Sequence, residues 1–312
     1  LGRGKSFRGA TTENLVRHGE KSFVLFGEAE WAGRRQRLGV RNSRDGLEVR
    51  VDGDSSGGTA ALAEALPLQV IDPDVHNLVA GGPEQRRRFV DWVAFHVEPG
   101  HLEAWRRFRR ALKQRNAALK GRSERAAIRS WDAELIELGG ALDASRRRAL
   151  EKAGNTLVEY GEALLGATLG FAYQQGWSAD RGLDEALAEG LERDLQHGTT
   201  RVGPHRADLR IRYDERQARK LVSRGQQKLL ASAMILAATE TAQTVLERPL
   251  LLLMDDPAAE LDENSLRRLL EAVAALGCQV VTTSLQKATL ALPEDTTVFH
   301  VEHGVLTPES AA

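Results

Sequence analysis

An uninterrupted run of five large apolar residues, Leu250–Met254, followed at once by Asp255, Asp256 and Pro257, constrains the fold of this chain more than any other feature. Such a run predicts a strand buried on both faces, in the middle of a largely parallel sheet. Open α/β sheets bind ligands at the carboxyl ends of their strands, which is where the aspartates stand. A carboxylate there suits a hydrated Mg²⁺ that carries nucleotide phosphates, because Mg²⁺ takes only one or two protein carboxylates. The segment is therefore interpreted as a Walker B motif, with a strand ending in a polar turn as the alternative.

A second segment lies one helix ahead of this strand. Ser223 and Gly225 stand at the start of a long apolar helix predicted over 229–246, where free backbone N–H groups and the positive end of the helix dipole form an anion site. Ser-x-Gly-Gln, completed by Gln226 and followed by a helix and a Walker B strand, resembles the order found in ABC-type ATPases. In those proteins the Ser-Gly turn of one subunit caps the γ-phosphate bound by the other. A simple helix N-cap is the alternative.

Two positions depart from the usual ABC pattern. The strand predicted over 278–283 ends in Thr283, where those ATPases usually place a switch histidine, and Asp256 stands where most of them carry a glutamate base. An aspartate arm is one methylene shorter, so we expect slow hydrolysis. Between these positions, Glu260-Leu261-Asp262 occupies the place of the D-loop, which crosses the dimer seam.

The chain contains no complete P-loop, which requires Gly-x-x-x-x-Gly-Lys-Ser/Thr between a strand and a helix. Gly4-Lys5-Ser6 imitates its end, but the upstream glycine would precede residue 1, and residues 7–9 are a poor helix start. We expect the P-loop, its strand and most of its helix to be absent from this chain, and this chain to show no measurable ATP hydrolysis. A functional P-loop at residues 4–6 is the alternative.

Composition limits the class of protein. At 312 residues with 42% apolar composition, the chain can bury a sizeable core. Its one cysteine, Cys278, falls in a predicted buried strand, which indicates a reducing compartment without a disulfide framework. No signal peptide is visible and no apolar run is predicted to span a membrane, so we expect a cytoplasmic protein.

Charge distribution, unlike the formal net charge of −1, indicates a nucleic-acid surface. Residues 101–130 hold ten Lys or Arg and only two acids, and residues 105–120 form a predicted basic helix with Phe108 and Leu112 on its apolar face. A basic helix can follow a phosphate backbone without reading sequence, although a solvated helix face is the usual meaning of such a run. The candidate DNA contacts are Arg106, Arg109, Arg110, Lys113, Arg115 and Lys120.

The remaining pattern predicts three segments. An antiparallel meander is expected from residues 22–26, 47–51 and 66–71. Helices are expected over 81–95, where Pro83 begins the helix, and near 101–120, 132–168 and 183–195. A strand is expected at 208–212. We expect an ATPase lobe in 1–98, a helical arm in 99–197, and the rest of the ATPase lobe in 198–312.

Ordered motifs along essentially the whole chain resemble the RecF family, the bacterial DNA-repair relatives of the SMC ATPases. They are Gly2–Arg8, Gly81–Trp92, Arg110–Ala117, Gly203–Leu209 and the two ATPase motifs described above. That family also carries Asp-Asp in Walker B and lacks the switch histidine.

The resemblance implies an α/β fold: an ABC-type P-loop ATPase head with a mixed sheet and an antiparallel β meander, interrupted by an all-α arm. It implies ATP and Mg²⁺ as cofactors, Asp255 as metal ligand and Asp256 as the base that orients water. Ser223, Gly225 and Gln226 would form the trans-acting cap, and Asp262 the seam contact.

For the complete protein the resemblance implies an ATP-dependent homodimer with weak, DNA-stimulated ATPase activity. The dimer would clamp duplex DNA near single-strand gaps and assist RecO/RecR-type mediators in loading recombinase, in the bacterial cytoplasm and nucleoid. Two alternatives stay open: another ABC-type head of the SMC-like kind, and a non-hydrolysing DNA-binding scaffold. DNA binding that persists without nucleotide would favour the scaffold.

Overall fold

The computed structural model describes residues 1–7, 9, 12–44, 46–55, 57–213, 216–218, 222–285, 293 and 296–308. The strands in this part of the chain are β1 Ser22–Trp31, β2 Arg34–Ser43, β3 Gly46–Val51, β4 Leu68–Ile71, β5 Leu169–Gln174, β6 Asp208–Tyr213, β7 Arg216–Gln217, β8 Leu251–Asp255, β9 Gln279–Thr283, β10 Phe299–Glu302 and β11 Val305–Pro308. The α-helices are α1 Thr12–Leu15, α2 Gly58–Ala65, α3 Asn77–Ala80, α4 Pro83–Val97, α5 His101–Lys120, α6 Arg125–Arg129, α7 Asp132–Leu165, α8 Leu183–His197, α9 Arg224–Leu246 and α10 Glu263–Ala275.

A parallel sheet of order β4-β8-β9 carries the Walker B segment on its middle strand. Ile71 pairs with Met254 on one side of β8, and Asp255 pairs with Thr283 on the other. Leu252 and Met254 are buried, as the apolar run predicts. Because all three strands run the same way, their carboxyl ends meet at one edge of the sheet.

The antiparallel meander is made of β1, β2 and β3, and its membership differs from the prediction. Residues 66–71 do not join it, because β4 is buried along almost its whole length and pairs parallel to β8. Its place is taken by β2, whose Arg-rich sequence shows little alternation but buries Leu38 and Val40 against α2.

Helix α9 is the centre of the main hydrophobic core. It contacts α7, α4 and the sheet, and every residue from Lys228 to Ala238 is buried. The helix is long and apolar enough to span a membrane, contrary to the prediction that no segment reaches that length, yet 72% of its most apolar window is buried inside the protein. Its apolar character thus serves internal packing.

The helical region follows the prediction closely at α5, α7 and α8. A second core forms where Phe108 of α5 meets Leu138 and Leu142 of α7 and Leu187 of α8. Helix α7 then continues into the main core, to which it contributes Leu157. The main core draws on residues from all three of the ranges 1–98, 99–197 and 198–312, and the division into lobes stays a prediction.

Candidate functional site

The two Walker B aspartates lie at the carboxyl edge of the parallel sheet, and Thr283 of the neighbouring strand contacts both. The Thr283 hydroxyl donates to Oδ1 of the buried Asp255 at 2.8 Å. The Asp256 N–H donates to Thr283 Oγ1 at 3.2 Å and to the Thr283 carbonyl at 3.2 Å. Thr283, which stands in the place of a switch histidine, therefore orients the metal-ligand candidate.

The loop after β8 holds two residues in left-handed backbone conformation. Asp256 has φ of 46° and Glu260 has φ of 67°. Non-glycine residues adopt such angles at a cost of order 1–3 kcal/mol, and they concentrate at functional sites. The conformation of Asp256 is held by its two hydrogen bonds to Thr283.

Two charged residues that the sequence reading did not single out join this edge. Asp72 follows β4 directly; burial raises its pKa, and the charges of Asp74 and Asp255 raise it further. Lys228 is fully buried, and its Nζ donates to the carbonyl of Ala259 at 2.5 Å. Burial lowers the pKa of Lys228, against the opposing charges of Glu260, Asp256 and Asp72. The negative charge of the neighbouring carboxylates Asp72, Asp255 and Asp256 attracts cations to this edge.

The donor set at the sheet edge fits Mg²⁺. Asp255 and Asp256 offer only oxygen ligands, the kind that Mg²⁺ prefers, and one or two carboxylates suffice because phosphates and water complete the coordination. Among the described residues, no group of three or more acid, histidine or cysteine side chains is placed to hold a metal ion by itself. The arrangement is that of a partial shell, which a nucleotide phosphate would complete.

A cleft of about 340 Å³ brings together all four predicted nucleotide-contacting residues. Ser223, Gly225 and Gln226 line it from the start of α9, and Asp262 from the start of α10. Gly225 packs against the D-loop that precedes α10, since an added Cβ would stand 3.2 Å from the Glu260 carbonyl oxygen. A side chain at position 225 would push the D-loop away, which explains why this position holds a glycine.

Both helix starts are capped by the residues proposed for function. Ser223 and Gln226 form a capping box, in which Ser223 Oγ accepts from the Gln226 N–H at 3.3 Å and Gln226 Oε1 accepts from the Ser223 N–H at 2.9 Å. Asp262 accepts from the Ser265 N–H at 2.9 Å and from its hydroxyl at 2.7 Å, and these bonds lower the pKa of Asp262. The hydroxyl proton of Ser223 is left free of the capping box, available to an anion.

Arg268 also lines this cleft, although it was not among the predicted site residues. Its Nε is buried without a hydrogen-bond partner among the described residues, and one terminal nitrogen donates to Ser265 Oγ at 3.3 Å. A buried cationic donor beside a helix N-terminus adds to the anion-binding character of the cleft. The signal in the sequence was its helical spacing from Asp262 and Ser265.

Residues 4–6 lie in a non-helical segment, and the absence of a P-loop stays a prediction. The described residues 1–7 contain no helix, and Gly4 has φ of 63°. A Cβ at Gly4 would stand 2.8 Å from Thr59 of α2, so the segment packs against the meander side of the molecule instead of opening a helix.

The basic helix α5 presents most of its predicted DNA contacts to solvent. Arg109, Arg110, Lys113 and Lys120 are exposed and line one surface groove of about 640 Å³, here named the basic groove. Arg106 is exposed one turn earlier, outside the groove. None of these five takes part in the ion pairs found among the described residues, whereas Arg107 pairs with Glu134 at 3.6 Å.

Arg115 corrects the prediction. Its side chain is 0% exposed; Nε donates to Asp132 at 2.8 Å, and one terminal nitrogen donates to Asp194 at 2.6 Å and to Thr200 at 2.8 Å. A guanidinium without exposed surface cannot reach a phosphate. Helical spacing turns this position toward α7 and α8, and Arg115 joins the helices instead of binding DNA.

Comparison with known proteins places these features in context. A family model described as RecF/RecN/SMC N terminal domain matches residues 1–307. The protein "DNA replication and repair protein RecF" of Chromohalobacter salexigens is 41% identical over 318 residues, covering 99% of this chain and 88% of that protein. The protein of the same name from Pseudomonas aeruginosa strain LESB58 is 39% identical over 312 residues, covering 97% and 85%.

A solved structure described as the recombination mediator protein RecF-ATP in the RecFOR pathway superposes with a TM-score of 0.86 at 22% identity, covering 98% of this chain and 85% of that one. A second, described as RecF-ATPrS in the same pathway, gives a TM-score of 0.84, also at 22% identity. At this identity the likeness concerns the fold.

Proposed function

Because the chain belongs to the RecF/RecN/SMC family and within it to the RecF proteins, which confirms the predicted resemblance and fold class, we propose that it works as an ATP-dependent, dimeric DNA clamp in replication-coupled repair. The observation that carries the proposal is the signature cleft, in which Ser223, Gly225, Gln226 and Asp262 converge on one side of the loop that follows the Walker B strand. A trans-acting cap requires this convergence.

At the sheet edge, Asp255 would hold Mg²⁺ and Asp256 would orient the attacking water and accept its proton. When bound, the ion neutralises triphosphate charge. Thr283 keeps the Asp255 carboxylate in one orientation through its 2.8 Å hydrogen bond. The shorter Asp256 arm and the absence of a histidine at position 283 favour slow hydrolysis, suited to a clamp that stays closed long enough to be recognised.

In the signature cleft, the Ser223 hydroxyl and the N–H groups at the start of α9 would cap the nucleotide held by the partner subunit. The same residues stabilise α9 through the capping box, so the cap is preorganised before the partner arrives. Asp262 is held by Ser265 at the start of α10 and would contact the partner across the seam.

Duplex DNA would lie along the basic groove, contacted by Arg109, Arg110, Lys113 and Lys120, with Arg106 beyond one end. Contacts to phosphate from a helix of this kind carry no base information, so recognition would follow shape and charge. We further propose RecO/RecR-type mediators as partners, recombinase loading at single-strand gaps as the outcome, and the bacterial cytoplasm, at the nucleoid, as the location.

The test is ATP-dependent self-association of the protein, measured by sedimentation velocity. Mg²⁺ and ATP are expected to convert the wild type from monomer to dimer. Ser223→Arg should block dimer formation while leaving equilibrium binding of ATP by the monomer unchanged, because the cap acts in trans. Asp256→Asn should leave the dimer intact and prolong its lifetime, because ATP hydrolysis causes the two subunits to dissociate.

Arg267→Glu supplies the matched control, since Arg267 lies on α10 near the cleft but is exposed and paired with Glu271. It should dimerise like the wild type. If Ser223→Arg dimerises at the same ATP concentrations as the wild type, the proposed cap is refuted.

A non-hydrolysing scaffold is the second candidate, favoured by the exposed basic residues of the basic groove, whose contacts with phosphate require no bound nucleotide. It predicts that a duplex binds with the same affinity with and without ATP. Strict dependence of DNA binding on ATP would exclude it.

A further inference from the structure

A cavity of about 440 Å³ lies away from the signature cleft, between α2, α4 and the start of α5. Trp92 and Phe95 of α4 and Trp105 of α5 supply aromatic surface to its lining; we name it the aromatic cavity. Its volume lies in the range of sites that enclose a small organic ligand. Aromatic rings on more than one side favour a flat ring as the occupant.

One polar group in this lining lacks hydrogen bonds. His96 is 9% exposed, and its ring makes tilted contacts with Trp92, at a centroid distance of 4.2 Å, and with Phe95, at 4.7 Å. Neither ring nitrogen has a hydrogen-bond partner among the described residues. Burial, and then the charge of Arg248, lowers the pKa of His96 to about 4, so the imidazole is neutral and offers one donor and one acceptor. A buried polar group left unpaired costs free energy, which a ligand with complementary groups would recover.

The same cavity is bordered by positive charge. Arg3, Lys5, Arg88 and Arg106 line it, and of these Arg88 is paired with Glu84 at 2.5 Å. The carboxylate that lines it, Asp91, is already bonded to Arg146 at 2.7 Å. The lining therefore has a cationic excess that suits an anion.

The aromatic cavity adjoins the basic groove along α5. The guanidinium of Arg109, which lines the groove, lies 4.6 Å from the ring centroid of Trp105, which lines the cavity. Arg106 lies one helical turn before Arg109 and belongs to the cavity lining. A strand following the groove would reach the cavity along α5.

We propose that the aromatic cavity binds one nucleotide unit, with its base against the tryptophans and His96 and its phosphate at the cationic border. Aromatic stacking combined with a cationic track is the arrangement by which proteins hold unpaired nucleotides. The unit comes from the unpaired strand beside a duplex, or from free nucleotide. The first source rests on the DNA binding proposed above and would give the clamp its preference for gaps.

The experiment has two arms. Calorimetric titration with dTMP measures free-nucleotide binding, and fluorescence anisotropy compares a blunt duplex with the same duplex carrying a thymidine overhang. The wild type should bind dTMP and prefer the overhang by about tenfold, the effect of one stacked base. His96→Phe, which keeps the ring and removes both polar groups, and Trp105→Ala should lose dTMP binding and bring the overhang affinity down to that of the blunt duplex.

Arg110→Ala, in the basic groove, should weaken both duplexes by the same factor. Loss of dTMP binding in His96→Phe without any overhang preference in the wild type assigns the site to free nucleotide. Binding of dTMP without binding of either duplex would refute the proposed clamp and leave the cavity assignment standing. Wild-type dTMP affinity and overhang preference in both folded variants would overturn the assignment.

Discussion

Arg115 shows how one cation joins three helices. Its guanidinium donates hydrogen bonds to Asp132 at the start of α7, to Asp194 near the end of α8, and to the hydroxyl of Thr200. Asp194 is itself fully buried, and its second oxygen accepts from the Arg201 N–H at 2.9 Å. Removing the cation would leave a buried carboxylate with no countercharge, which is the costly way to break an ion pair.

Arg115→Met is therefore expected to lower the free energy of unfolding by about 3–5 kcal/mol. Arg110→Met is the control: the same change on the exposed face of the same helix should cost less than about 0.5 kcal/mol. Urea unfolding followed by circular dichroism measures both. Equal loss in the two variants would show that the buried ion pairs contribute nothing beyond an exposed charge.

At the scale of elements, β10 and β11 form a hairpin that differs from the other strand pairs in the described part of the chain. All eight of its residues are exposed, Phe299, Val301 and Leu306 among them. An isolated two-stranded hairpin is marginally stable in water. The pair β5–β6, also antiparallel, buries Leu169 and Leu209 and serves as an internal comparison.

Hydrogen exchange read by mass spectrometry should thus show residues 299–308 exchanged at the shortest labelling time. Peptides from β5–β6 and β8 should stay protected, because their opening requires breaking the main core. Protection of the hairpin comparable to that of β5–β6 would show that its apolar face is covered in solution.

Elements with strong periodicity were predictable from the sequence. Helix α5 begins and ends where the basic run indicates, since no Gly or Pro interrupts it. Strand β8 was predictable because a short, continuous run of large apolar residues is typical of a strand buried on both faces of a parallel sheet. Strand β4 was assigned to the wrong sheet, since its partner β8 lies about 180 residues away and local alternation carries no information on pairing.

The site was predictable in part. Residues at a helix start and at a strand end carry local signals, so Ser223 and Asp255 could be named in advance, and their functional roles remain predictions. The hydrogen bond between Thr283 and Asp255, the burial of Lys228 beneath the D-loop and the place of Arg268 in the cleft all depend on tertiary packing. The sequence offered no means of separating Arg115 from its exposed neighbours except helical phase.

At the scale of the whole molecule, two neutral histidines in separate regions make stability depend on pH. His96 lies against α4 aromatics, and His205 bonds the Thr200 carbonyl through Nε2 at 2.9 Å. Burial lowers the pKa of each to about 4, below the ordinary value of 6.5. Between these values the unfolded chain binds a proton that the folded chain does not, so stability is full above pH 6.5 and falls as the pH drops toward 4.

The double variant His96→Phe, His205→Gln is expected to remove this dependence of stability on pH. Gln is chosen at position 205 because its amide can still donate a hydrogen bond to the Thr200 carbonyl. Each histidine contributes up to about 1.4 kcal/mol per pH unit, so between about pH 6 and pH 5 the wild type should lose about 2 kcal/mol more than the variant. Urea unfolding at a series of pH values measures the difference, in which the shared contribution of the carboxylates cancels. Parallel curves for the two proteins would mean that both imidazoles take up protons as readily in the folded state as in the unfolded chain, and the burial of His96 and His205 would then have no electrostatic consequence.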